Sequence, residues 1–344
     1  MATLSTALIV AAALVPSLAA ADVVVLTGHD GDVASVAFSP DGRWLASGGT
    51  SRADHGAKLW DVATGKAVAS YNPDVRGGGF SVAFAPGSKL LYVGDLGLSV
   101  RVVSVPDGKE KAAWPTSPDK GWMAQRVAAS PDGKLVAGGL SDGTIMVFAA
   151  GSGAARKLSQ GNAITALAFS PDSKLLAAGT DFGLRVWDAA SGKQLVDVDN
   201  KAGKFEVKTV AFAPDGKTLV VGGSPGVVRF LGLDGKELRK FVMPSVGGST
   251  TIDALVVSPD GKRVYCTGML QKPDARKLFA GAVALDFATA KPVGVARLTD
   301  SWGDHITQLA VSPDGKRLAA AVNGSNSVYV VETASVVAID KLPD

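Results

Sequence analysis

His29, Ser47 and Asp54 are the side-chain types of a general base, a nucleophile and an orienting acid, the set that acyl-transfer chemistry uses. Neither a G-x-S-x-G elbow nor an oxyanion-hole signature accompanies them. The three histidines, His29, His55 and His305, form neither H-x-x-H nor H-E-x-x-H, so they show no metal-ligand spacing. The single cysteine, Cys266, excludes a disulfide framework and any multi-cysteine metal or iron–sulfur site. It sits in an apolar strand phrase, VYCTG, and reads as a small core residue rather than a reactive thiol. Gly77-Gly78-Gly79 precedes a strand-like run instead of a helix, so it does not cradle a phosphate. These patterns assign no catalytic residue, no metal and no cofactor.

These residues belong to a chain of 344 residues that is 47% apolar, with 41 glycines and 35 Lys plus Arg against 32 Asp plus Glu. The apolar share supplies a core and excludes disorder. A net charge of +3 gives no electrostatic footprint for nucleic acid. Residues 1–21 contain no charged side chain. An apolar run at 7–15 (ALIVAAALV) is followed by Ala19 and Ala21, a small-x-small pattern that predicts cleavage after Ala21. The expectation is a signal peptide over 1–21 and a periplasmic or extracellular domain over 22–344. A basic n-region is missing, however. An uncleaved membrane anchor and an alanine-rich helix packed on the domain are the other two readings, and the membrane is a partner only under the first of them.

Beyond residue 22 one phrase recurs seven times: an apolar run, Ser/Ala-Pro, a short polar turn and a second apolar run. It reads VASVAFSPDGRWLAS from Val33 and ITQLAVSPDGKRLAAAV from Ile306. Its prolines are Pro40, Pro86, Pro131, Pro171, Pro214, Pro259 and Pro313, at intervals of 40 to 54 residues that predict a propeller or array. Ser-Pro-Asp-Gly fits a type I turn, so it joins two antiparallel strands. The first strand is apolar at successive positions, the mark of a strand covered on both faces. A third strand (57–61, 184–188) and a fourth (67–71) complete the unit. The expected fold is all-β, a seven-bladed β-propeller of four-stranded antiparallel blades.

Gly28-His29 with Trp60-Asp61 in the first repeat, and Trp187-Asp188 in the fourth, resemble the signatures of the WD-repeat family over nearly all of 22–342. Val103, Phe148, Phe230, Leu285 and Val331 stand where the other five repeats would carry tryptophan, a degenerate set, while the composition and the N-terminal segment are read as a bacterial, exported type. The last repeat also resembles the YVTN type of lactonase-like propellers. The WD-repeat resemblance implies that His29, Ser47, Asp54 and Trp60 form a buried, hydrogen-bonded structural tetrad. Asp54 has the spacing this needs, six residues before Trp60. On that reading the first repeat has no catalytic role.

The proline turns barely vary in length, whereas the opposite end collects insertions at 48–56, 114–125, 243–251, 268–281 and 299–305. Trp114, Trp122, Met123 and Trp302 are residue types that anchor interfaces, and Arg52, His55, Lys272, Arg276, Lys277 and His305 share these loops. All are candidate partner-binding residues, with a mere lid over the central channel as the other role for the aromatics. The resemblance implies a non-enzymatic platform that binds a protein or peptide partner through this loop-rich face. The alternative is a YVTN/lactonase-like enzyme or a small-molecule binder at the channel mouth, which a stoichiometric divalent metal would favour. For ring closure, 23–26 (VVVL) is expected to pair beside 328–331, leaving 336–342 (VVAIDKL) as a fifth strand outside it or loosely attached.

Overall fold

The Ser-Pro-Asp-Gly phrase folds as its residue types dictate. The Ser39 carbonyl accepts the Gly42 N–H at 2.8 Å, and Gly42 takes the left-handed conformation at φ +72°. Ser39 Oγ donates to Asp41 and accepts the N–H of Trp44 at 2.8 Å, which ties the turn to the strand it starts. The serine–aspartate bond recurs at Ser130/Asp132, Ser170/Asp172, Ser258/Asp260 and Ser312/Asp314. Two repeats put a serine in the left-handed position instead of glycine: Ser88 at φ 57° and Ser173 at φ 63°. Each spends its hydroxyl on the preceding blade. Ser88 Oγ accepts the N–H of Asp41 at 3.1 Å, and Ser173 Oγ accepts that of Asp132 at 2.9 Å. An unfavourable backbone is thereby offset by a bond between blades.

A computed structural model describes residues 23–50, 56–72, 79–95, 99–116, 124–159, 161–199, 205–244, 251–271, 278–299 and 304–338. Seven antiparallel sheets stand in a ring, the blades running over 33–71, 79–115, 124–159, 164–199, 206–242, 255–299 and 305–332. Each places its first strand innermost and adds the next ones outward. Among the described residues the one helical element is a 3-10 turn, Thr333–Ser335. The ring closes as expected: Val24–Thr27 forms the outer strand of blade seven, with Val24 opposite Val330 and Thr27 opposite Ser327. The other chain end departs from the expectation. Val337–Ala338 pairs outside blade six, against Val295 and Gly294, and not outside Val24–Thr27. The 3-10 turn redirects the chain, and Val336 packs into the core shared by blades six and seven.

Seven apolar clusters fill the ring, one at each junction between blades. The third strand of each blade lays one buried side chain into the cluster it shares with the preceding blade: Trp60, Val103, Phe148, Trp187, Leu285 and Val331. Blade five differs from the sequence expectation. Trp60 stands opposite Leu45, and the equivalent pairing in blade five is Leu231 opposite Leu219. Phe230 therefore faces the other way, into the cluster shared with blade six, where the Arg239 guanidinium lies 4.4 Å from its ring. An offset of one residue along a strand exchanges the two faces.

Candidate functional site

In the first repeat the polar side chains are turned inward. Trp60 donates its indole N–H to Ser47 Oγ at 2.8 Å, and His29 Nε2 meets the same oxygen at 2.7 Å. Ser47 is fully buried on the strand Trp44–Gly49. Gly28, at φ +136°, lets the chain enter against the Trp60 ring. The Ser47 hydroxyl is thus engaged by two ring nitrogens and buried from solvent. Asp54 lies outside the described residues, as do Arg52, His55, Trp122, Met123, Lys272, Arg276, Lys277 and Trp302.

Trp114 is not a loop residue. It belongs to the outer strand Glu110–Pro115, is buried, and has its ring centroid 5.8 Å from Tyr92 and 5.4 Å from Phe148. Blade three carries Phe148 at its tryptophan position, and Trp114 fills the remaining space from blade two. Glycine at 153 makes room, since a Cβ there would stand 2.5 Å from Trp114 Nε1. Pro115 ends an edge strand, where no backbone donor is needed.

The insertion at 268–281 is also largely strand. Arg263–Gln271 and Leu278–Asp286 pair along their whole length, from Arg263 opposite Asp286 to Gln271 opposite Leu278. The result is a long hairpin, whose tip at 272–277 lies outside the described residues. Beside the 299–305 insertion, Thr299 Oγ1 donates to Asp304 at 2.6 Å, both side chains buried. His305 follows as the exposed first residue of the innermost strand of blade seven.

At this end the innermost strands begin, so their first residues surround the channel mouth. Lys208 bridges Asp181 at 2.9 Å and Glu206 at 3.2 Å. One blade further on, Asp253 stands exposed at the same end. Phe182, next to Asp181, is 57% exposed. Lys208, Asp253 and Asp181 were not singled out in the sequence, although a charged residue on an inner strand, as Lys208 is on Glu206–Phe212, is a readable signal. Among the described residues no three metal-ligating side chains converge, and no helix is long and apolar enough to cross a membrane. A cavity of about 410 Å³ lies at the proline-turn end, lined by Asp260, Lys262, Arg263, Asp286 and Phe287, away from this mouth.

The family model of the WD domain, G-beta repeat, matches residues 21–61, 121–148 and 156–188, stretches that form the closing strand and most of blades one, three and four. The chain is a seven-bladed β-propeller that carries WD40 repeats in these stretches. It is similar to Periodic tryptophan protein 2 of Arabidopsis thaliana, 28% identical over 207 residues that cover 59% of this chain and 22% of that protein. It is also similar to Small ribosomal subunit protein RACK1y of Oryza sativa subsp. japonica, 33% identical over 109 residues, 30% of this chain and 32% of the relative. The matched region thus spans a third or less of these relatives' lengths. Two further aspartates of this WD40 propeller hold the place of Asp54: Asp142 and Asp181 stand six residues before Phe148 and Trp187. Asp142 accepts the N–H of Thr144 at 2.8 Å, whereas Asp181 pairs with Lys208 of the next blade.

Proposed function

We propose that this WD40 propeller is a non-enzymatic platform that binds a protein or peptide partner at its loop-rich end. The observation that carries the reading is the difference between the two ends. The proline-turn end repeats one short turn, in most blades with the aspartate bonded to its own serine. At the other end the blade-six hairpin continues four residue pairs past the last pair of the corresponding strands in blade one. Exposed Phe182 and the charged mouth lie on that same end. A rigid ring that varies at one end is the arrangement in which loops carry specificity. WD40 propellers generally bind protein partners, which supports the partner class. The inward use of His29 and Ser47 supports the non-enzymatic reading.

The uncharged segment ending in Ala19-Ala20-Ala21 supports export, so the partner would be met outside the cytoplasm. N-terminal sequencing of the protein recovered from its native host tests this: a start at Asp22 agrees, and an intact Met1 in a soluble cytoplasmic fraction contradicts it. Partner capture by the intact chain, compared with a chain lacking the blade-six hairpin, tests the binding end. Loss of the captured set on removing the hairpin supports it, and retention contradicts it.

A further inference from the structure

The innermost strands have no sheet neighbour on their channel side, so their backbone groups on that edge need partners from side chains. Five residues before each turn proline, at one level of the ring, the seven blades carry Ser35, Ser81, Arg126, Ala166, Thr209, Ala254 and Gln308, of which Arg126, Thr209 and Gln308 are partly exposed. Three of them use an oxygen to stitch one blade to the next. Ser81 Oγ accepts the N–H of Val127 at 3.0 Å, Thr209 Oγ1 that of Leu255 at 3.2 Å, and Gln308 Oε1 that of Val36 at 3.0 Å. What these groups have left to offer is hydrogen: two hydroxyl protons and the Gln308 amide.

Arg126 adds more donors and a charge. Its Nε donates to the Thr165 carbonyl at 2.5 Å and its Nη1 to the Gln125 carbonyl at 2.8 Å, which fixes the guanidinium across blades three and four. Two of its five N–H groups are thereby used. Among the described residues no carboxylate pairs with it, and burial lowers its basicity with nothing opposing. Ser35 Oγ, on a residue only 2% exposed, has no hydrogen-bond partner among the described residues. Two residues further along, the channel side chains are six alanines and Val256.

A donor-rich level with one uncompensated, fixed guanidinium is complementary to an oxyanion. We infer that the central channel binds a small oxyanion, a carboxylate or a phosphate, through Arg126, with Ser81 and Ser35 among the further donors of its level.

The test is the thermal midpoint of the full chain titrated with formate, inorganic phosphate or chloride, at an ionic strength held constant with a bulky buffer anion. Formate or phosphate should raise the midpoint by about 4 °C at a hundredfold excess over Kd, and the larger response identifies the source. In Arg126→Met the rise should vanish, and Ser35→Ala should reduce it. An equal rise in wild type and Arg126→Met, or one with chloride as large as with either oxyanion, overturns the inference. Should Arg126→Met fail to fold, wild-type crystals soaked in selenate decide. Anomalous density against the Arg126 guanidinium supports the site, and an empty channel overturns it.

Discussion

The indole N–H of Trp60 donates to Ser47 Oγ at 2.8 Å, and both side chains are buried. Trp60→Ala should therefore destabilise the protein by about 3–5 kcal/mol, as for other large buried aromatics. Ser47→Ala removes the hydroxyl that Trp60 and His29 share and should cost about 1–3 kcal/mol. Denaturant unfolding checks both. A Ser47→Ala protein of wild-type stability that has lost a hydrolytic activity would restore the catalytic reading.

Ring closure makes the two chain ends unequal. Val24–Thr27 supplies a full outer strand to blade seven, and Leu26 is buried in the junction with blade one. Val337–Ala338 adds two residues to the edge of blade six. Removing residues 22–27 should lower stability far more than removing 335–344. Equal losses in paired unfolding curves would show that the N-terminal strand does not close the ring.

Cys266 is fully buried on the strand Arg263–Gln271, and burial pushes its thiol pKa up to about 12. At pH 8 almost no thiolate is present and no reagent reaches it. Native protein should leave a disulfide thiol reagent unreacted for hours, while denatured protein consumes one equivalent at once. Rapid native labelling would contradict the packing of blade six.

The turn aspartates predict the acid limb of the stability curve. Asp132, Asp172, Asp260 and Asp314 each accept a bond from the serine two residues earlier, which holds their carboxyl pKa below the usual value. A carboxyl with a depressed folded pKa contributes stability above its unfolded pKa, about 4, and loses it as pH falls through the folded value. Denaturation midpoints should hold between about pH 5 and 8 and fall below about pH 4. Replacing Ser130, Ser170, Ser258 and Ser312 with alanine should make that fall shallower. The same acid slope in the variant would remove these bonds as its cause.

Fold and blade number were legible because each repeat carries its own turn chemistry. Pro40, Asp41 and Gly42 determine their turn within a few residues, whatever the rest of the ring does. Trp114 was not legible, since its place depends on a missing tryptophan in a different blade and on the absent side chain at Gly153. Phe230 was assigned by residue type, and only the pairing of Leu231 with Leu219 reveals the offset. Bonds between blades, such as Ser81 to Val127, join residues 46 positions apart and leave no local pattern. Their one sign in the sequence is a polar side chain on an apolar inner strand, and Arg126 shows it most openly.

The most direct test of the interaction-platform reading replaces residues 270–280 with a short glycine bridge and measures partner retention. The pairs from Arg263 opposite Asp286 to Gly268 opposite Gly281 remain, so blade six should keep its fold, with a thermal midpoint lowered only by the loss of three hairpin pairs and of buried Ala280. A control, Lys134→Ala with Lys174→Ala, alters two exposed side chains at the proline-turn end. The expected result is a folded, hairpin-trimmed protein that loses its partners while the control keeps them. Partners retained by the trimmed protein, or lost by the control, would contradict binding at the loop-rich end.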